Sequence, residues 1–316
     1  MSPARKSSFE VRVPASTANL GAGFDCLGLA LEIYLSVRAS LLGSSSRTVA
    51  RSSGVRGTSQ LPKDPEQNLI FRAMRLTAER EGFPLPRVRI AVQNQIPVAG
   101  GLGSSAAAAV AGIALGFAVA GRPINKDAAL RYATEMEGHP DNVAAALLGG
   151  LVVTFTRSDG SVVAIRKRWP KVIRLIVVTP NLMLETKKSR AVLPVSVPRV
   201  DAVYNLQRSA LFVAALEDRR YDLLWDAMQD RLHQHARQAL IPGLADVLSL
   251  PRMPGLLGVA LSGAGPSVIA LATERFDQIG KAIAHCFEKH DLAPTIRNLE
   301  AAQEGISATQ KYISQK

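Results

Sequence analysis

Apolar and polar residues alternate over residues 9–16 (FEVRVPAS) and again over residues 87–97 (RVRIAVQNQIP), the period-two pattern of half-buried strands. Residues 27–42 (LGLALEIYLSVRASLL) are richer in apolar and β-branched side chains and also predict strand. Residues 44–67 are polar and serine-rich and read as a surface excursion. The spacing of Leu69, Ile70, Ala73, Met74, Leu76 and Thr77 predicts a helix stopped by Gly82, and residues 125–138 predict a second one capped by Asn125. Residues 142–155 predict a short helix, a glycine break and a strand. In the second half, a charged turn leads into a buried strand over residues 166–180, and residues 200–242 read as two amphipathic helices. Residues 255–272 read as strand, glycine turn and strand, and residues 274–291 as a last helix. The tail after Leu299 is polar and weakly patterned. Strands and helices mix without a regular βαβ alternation, so the expected class is α+β, in two halves comprising residues 1–165 and 166–316.

One segment does not fit either period. Residues 96–121 (IPVAGGLGSSAAAAVAGIALGFAVAG) carry no charge at all. Pro97, the glycines and the two serines occupy its first third, which leaves about 16 residues, or roughly 24 Å of helix, too short to span a bilayer. A buried helix is the expected form, entered through GGLGSS. Glycines there permit positive φ and close approach of a ligand. The first amides of the helix lack intrahelical partners and carry the positive end of its dipole, which together make an anion site, most often for phosphate. The loop is neither a Walker A motif, since no lysine follows its last glycine, nor a GxGxxG dinucleotide fingerprint.

Composition sharpens this. The chain has 316 residues, 47% hydrophobic and 20% charged, enough for a full core without metal or disulfide support. Its two cysteines, Cys26 and Cys286, are far apart and lack ligand spacing. The first residues are basic without an apolar run, so a cytoplasmic chain with no membrane partner is expected. The net charge of +12 favours anionic ligands. Its basic runs are short (RKRW, KKSR) and aromatics make up only 5%, so no nucleic-acid partner is expected. The sequence leaves a homodimer open.

Three more segments stand around the glycine loop: VPASTANLGAGFDCLGLAL (13–31), with the single acid Asp25; EGHPDNVAAALLGG (137–150), with Glu137, His139, Asp141 and Asn142 close together; and LSGAGPSVIAL (261–271), a second glycine turn. In this order the four segments resemble the GHMP kinases, over most of the chain to about residue 275. Within that family PASTANLGAGFD, EGHPDNVA and TKKSRAVLP are similar to the members that phosphorylate homoserine.

The resemblance implies a two-domain α+β GHMP kinase fold, with a ribosomal-protein-like N-terminal and a ferredoxin-like C-terminal domain and ATP in the cleft between them. It also implies an enzyme that moves the γ-phosphate of ATP to the side-chain hydroxyl of L-homoserine, giving O-phospho-L-homoserine for threonine biosynthesis. Pro97, Gly100, Gly101, Leu102, Gly103, Ser104, Ser105 and Ala106, with Gly263 and Gly265, would bind the nucleotide. Glu137 with a Ser104 or Ser105 hydroxyl would ligate Mg²⁺, a hard ion that takes few protein oxygens. Asn19 and Asp25 match the residues that meet the substrate's amino end, Arg190 and Arg237 those that hold its carboxylate, and His139 and Asn142 those lining the hydroxyl. An arginine fork suits a carboxylate because it binds both oxygens. Asp141 aligns loosely with an aspartate base of some relatives, but its companion lysine is missing here, so Asp141 and Asn142 are the catalytic candidates. The chain departs from the family at Ala22, where proline is usual, and at HQHAR (233–237), where HQPYR is usual. Two other readings stay open: a kinase for mevalonate or a sugar, whose acceptors lack the amino group that Asp25 suits, and a non-catalytic binding protein of the same fold.

Overall fold

Two asparagines start two helices in the first half of the molecule. Asn68 and Asn125 each turn a side-chain oxygen back onto two first-turn amides, and Gly82 and Gly138 end the same helices in left-handed conformation. The computed structural model describes residues 7–42, 49–52, 64 and 66–312. In chain order its elements are β1 (Ser7–Asn19), β2 (Gly23–Leu41), β3 (Val49–Ser52), α1 (Leu69–Glu81), β4 (Val88–Asn94), α2 (Ser104–Val119), α3 (Lys126–Glu137), α4 (Asp141–Leu148), β5 (Leu151–Thr156) and β6 (Val162–Lys167). Then come β7 (Arg174–Thr179), α5 (Thr186–Ala191), α6 (Arg199–Glu217), α7 (Leu224–Ala227), α8 (Gln234–Arg237), α9 (Leu244–Leu248), β8 (Leu256–Leu261), β9 (Val268–Ala272), α10 (Phe276–Glu288), β10 (Thr295–Leu299) and β11 (Ser307–Tyr312).

The first sheet runs β11-β1-β2-β4-β3, with β5 and β6 branching from the N-terminal part of β2. Among the described residues, only β3 and β4 pair in parallel. Phe9, Val11 and Val13 face the core while Arg12 faces out, and the alternation stops where Pro14, which has no amide to give, shifts the register of β1 on β2. The uncharged helix α2 is buried on nearly every side, against α1, α3, α4 and β1. It is a core helix, and no described helix is long and apolar enough to cross a membrane. The second sheet, β10-β7-β9-β8, is antiparallel throughout and is covered by α10 through Ile279, Ile283 and Phe287.

Four expectations change. The serine-rich stretch contributes β3, and the rest of it lies almost wholly outside the described residues. The helix after the glycine loop begins at Ser104, so both serines belong to its first turn. Residues 200–242 form one long helix, α6, followed by short helical pieces, α7 and α8 among them, instead of a second long helix. The unpatterned tail after Leu299 pairs β11 with β1, bringing the chain's end back to the first sheet. Its residues Ser307 to Gln310 are exposed, so no alternation marks them.

Gly112 shows how tightly α2 is held. A β-carbon there would overlap the Ile70 carbonyl and sit 2.6 Å from Ala73 Cβ. Helix propensity alone favours alanine by about 1 kcal/mol. The overlap is with backbone and cannot be relieved by a rotamer, so Gly112→Ala is expected to destabilise the protein by about 1–3 kcal/mol, read by denaturant unfolding.

Candidate active site

The loop before α2 is fixed by its carbonyls. Ala99 O accepts from Leu184 N at 3.2 Å, Gly100 O from Ser267 N at 3.2 Å, Gly101 O from Ser262 Oγ at 2.7 Å, and Leu102 O from Ser16 N at 3.2 Å. Four successive carbonyls are thus engaged by the protein. Ala99, Gly101 and Gly103 have φ of 53°, 76° and 65°, the alternation that gathers successive amides into an anion-binding concavity. Gly103 caps α2 without a side chain, so no oxygen of its own occupies the first-turn amides. A β-carbon on Gly103 would overlap the Ser16 hydroxyl, and one on Gly101 would lie 2.7 Å from Gly265 O. The two glycine turns pack directly on each other, and only glycine fits.

This loop forms one wall of a cavity of about 400 Å³, a size that takes small molecules. Ser105, in the first turn of α2, donates to Glu137 Oε2 at 2.6 Å. Burial raises the pKa of Glu137, opposed by the Ser105 bond and by His139. Across the cavity, Asp141 is buried at the start of α4. Its Oδ1 lies 2.7 Å from His139 Nδ1 and accepts from Asn142 N at 2.6 Å. Burial pulls the pKa of His139 down, but the bond and charge of Asp141 outweigh it, and the net shift is upward. Asn142 Oδ1 accepts from Ser16 Oγ at 2.9 Å. Ligand atoms of Asp25, His139 and Asp141 all lie within 4.8 Å of one another, a concentrated acidic corner.

Two arginines close the far side. Arg190, on α5, grips Asp25 with both nitrogens, Nη2 to Oδ1 at 2.6 Å and Nη1 to Oδ2 at 3.0 Å. Arg237, on α8, is 1% exposed and, among the described residues, forms no ion pair. It donates to Gly263 O at 2.9 Å, to Ser189 O at 3.2 Å and to His233 Nδ1 at 3.0 Å. Burial, and then the nearby charge of Arg190, lower its pKa to about 10. Both guanidiniums stand 5.6 Å from the ring centre of Phe24.

The phosphate-type loop, the acids and the arginines therefore share one cavity. Residues 68–150 match the model for the GHMP kinases N terminal domain, and residues 212–303 the model for GHMP kinases C terminal. The chain belongs to the GHMP kinases. This GHMP kinase is 41% identical over 298 residues to a homoserine kinase of Desulfitobacterium hafniense, covering 94% of this chain and 98% of that one. It is 44% identical over 274 residues to a homoserine kinase of Deinococcus radiodurans, covering 87% of each. A crystal structure of homoserine kinase from Cytophaga hutchinsonii superposes with a TM-score of 0.84 at 30% identity, over 96% of this chain and 97% of that one.

Within the GHMP kinase fold, the residues singled out from sequence fall as follows. Asn19, Asp25, Gly100, Gly101, Leu102, Gly103, Ser104, Ser105, Glu137, His139, Asp141, Asn142, Arg190, Arg237 and Gly263 all line the cavity. Pro97, Ala106 and Gly265 are not part of that lining; Pro97 is partly exposed, Ala106 is fully buried and Gly265 backs the loop at Gly101. Asn19 is engaged at both ends of its amide, accepting from Asp25 N at 3.1 Å and donating to Gly263 O at 3.0 Å. Sequence reading passed over Ser16, Ser262, Phe24 and His233. Ser16 lies within a quoted motif, three residues before Asn19. Ser262, Phe24 and His233 also lie within quoted segments, but the partners that give them a role come together only in the fold.

Proposed function

We infer that this GHMP kinase is an ATP-dependent homoserine kinase, transferring the γ-phosphate of ATP to the side-chain hydroxyl of L-homoserine for threonine biosynthesis in the cytoplasm. The reading is carried by one observation: an acid and two arginines converge on the cavity that the amide-lined glycine loop also enters. An α-amino acid needs a carboxylate for its ammonium and a guanidinium for its carboxylate. Mevalonate and sugars offer no ammonium, so the corner formed by Asp25, His139 and Asp141 disfavours them.

The residues fit the donor. The concavity at Gly101–Gly103 excludes a β-carbon, and its carbonyls are engaged elsewhere, so its amides suit phosphate oxygens. Glu137 and Ser105, already in contact, are the carboxylate and hydroxyl that would hold Mg²⁺. Bound there, the ion would neutralise charge on the phosphates. Asp25 takes the substrate's ammonium in place of Arg190, which turns to join the fixed Arg237 at the carboxylate. Asn142 and His139 then orient the hydroxyl. Asp141 has Oδ1 within 2.7 Å of two nitrogens, which suits an anchor for those two side chains better than a free base. Positioning and charge neutralisation carry most of a phosphoryl transfer. The hydroxyl oxygen bonds to phosphorus as the bond to the ADP oxygen breaks, and the hydroxyl proton passes to the transferred phosphate.

ADP release with ATP, Mg²⁺ and a panel of L-homoserine, mevalonate and galactose tests the reading. Turnover with L-homoserine supports it; turnover confined to another acceptor, or to none, removes it.

A further inference from the structure

Resting on that reading, we propose that His233 is a positioning residue for substrate recognition, a neutral bridge that fixes the carboxylate-binding Arg237 at a set distance from the loop carrying Asp25. The ring is fully buried, with Nε2 2.9 Å from Gly21 O. A carbonyl only accepts, so Nε2 carries the hydrogen. Nδ1 is then the acceptor, and it receives Arg237 Nη1–H at 3.0 Å. One imidazole thereby ties the strained turn at residues 19–25 to the arginine.

The ring is itself held firmly. Asp230, 6% exposed, takes the amides of Leu232, His233 and Gln234 at 3.0, 3.0 and 2.8 Å, and the Asn205 amide at 2.7 Å. Phe24 stacks on the imidazole with centroids 5.1 Å apart. The charged groups around it are Asp230, with Oδ1 3.7 Å from Nε2, then Arg237 and Asp25. Burial outweighs the acids and lowers its pKa, which keeps Nδ1 free to accept. An imidazolium has no lone pair to offer and would face the Arg237 guanidinium with like charge. The device sets the spacing between the ammonium and carboxylate receptors, so it acts on acceptors that carry both groups.

The test compares L-homoserine with 3-amino-1-propanol, the same alcohol without its carboxylate, as acceptor or as competitive inhibitor. His233→Phe keeps the stacked ring and removes both hydrogen bonds. The expected result is a rise of about tenfold or more in KM for L-homoserine. The kcat and the KM for ATP should stay within about threefold, and the constant for 3-amino-1-propanol within about twofold. Equal weakening of both ligands points to general disruption and overturns the proposal, as does an unshifted KM for L-homoserine. Should the phenylalanine variant fail to fold by thermal melting, His233→Leu, which also removes both hydrogen bonds, gives the same comparison. Wild-type turnover is measured alongside: its absence defeats the activity itself, whereas its presence with an unshifted variant KM defeats only the role of His233.

Discussion

Glu137→Gln is expected to lower kcat by roughly 10³-fold while leaving the fold at least as stable as the wild type. The amide has the same shape and can still meet Ser105, but it brings no charge to a metal ion. The stability half of the expectation follows from the direction of the pKa shift. Burial raises the Glu137 carboxyl above its ordinary value, so the folded protein holds this proton to higher pH than the unfolded chain does. The favourable contribution is fully present below the unfolded pKa, about 4.3, and is lost as pH rises through the folded value. At neutral pH the ionised Glu137 is a liability that glutamine removes. Melting at pH 7–8 should therefore give an equal or higher Tm for the variant, and the difference should fade in acid. Magnesium dependence runs the opposite way. The ion needs the carboxylate, so apparent Mg²⁺ affinity of the wild type should weaken on acidification, beginning above the normal carboxylate range, and this slope should be missing from the variant. Near-normal kcat, with Mg²⁺ dependence unchanged, would remove Glu137 from the metal site.

The glycine loop was legible because its chemistry is local. Four or five residues decide where φ turns positive and where helix amides begin, and the caps at Asn68 and Asn125 are local in the same way. Elements set by distant partners were not. The stretch around His233 has helical periodicity, yet Asp230 captures three following amides and the Asn205 side chain, and these bonds turn the chain out of a helix. Neither β3 nor β11 announces itself, because each is a short edge strand and its pairing partner lies far away in sequence. The site follows the same division. Residue types at Glu137, Asp25 and the two arginines suggest their chemistry in isolation. Ser16 and Ser262 act only by tying carbonyls and amides contributed by other segments, which no spacing along the chain reveals.

Arg237→Met is expected to raise KM for L-homoserine by 10²-fold or more, with little change in stability. Arg237 is charged, buried and without a carboxylate partner among the described residues, and its bonds to two carbonyls and an imidazole hold it in place without neutralising it. With a pKa of about 10 it is still about 99% protonated at pH 8. An arriving carboxylate meets a desolvated, pre-oriented cation, the situation in which removing one partner costs about 2–5 kcal/mol of binding. Stability is balanced differently. Methionine leaves the Ser189 carbonyl and His233 Nδ1 without their donor, which is unfavourable. Gly263 O keeps the Asn19 amide, however, and the repulsion between Arg237 and Arg190 disappears. Replacing a buried charge by an apolar side chain of similar length is often neutral when no partner charge is stranded. We expect a net change within about 2 kcal/mol by denaturant unfolding. Arg237→Lys separates charge from geometry. It restores a cation but not the planar fork, so it should recover only part of the affinity. A methionine variant that binds L-homoserine as well as the wild type would move the carboxylate site to Arg190 alone. One that loses 3-amino-1-propanol and L-homoserine equally would make Arg237 a structural residue.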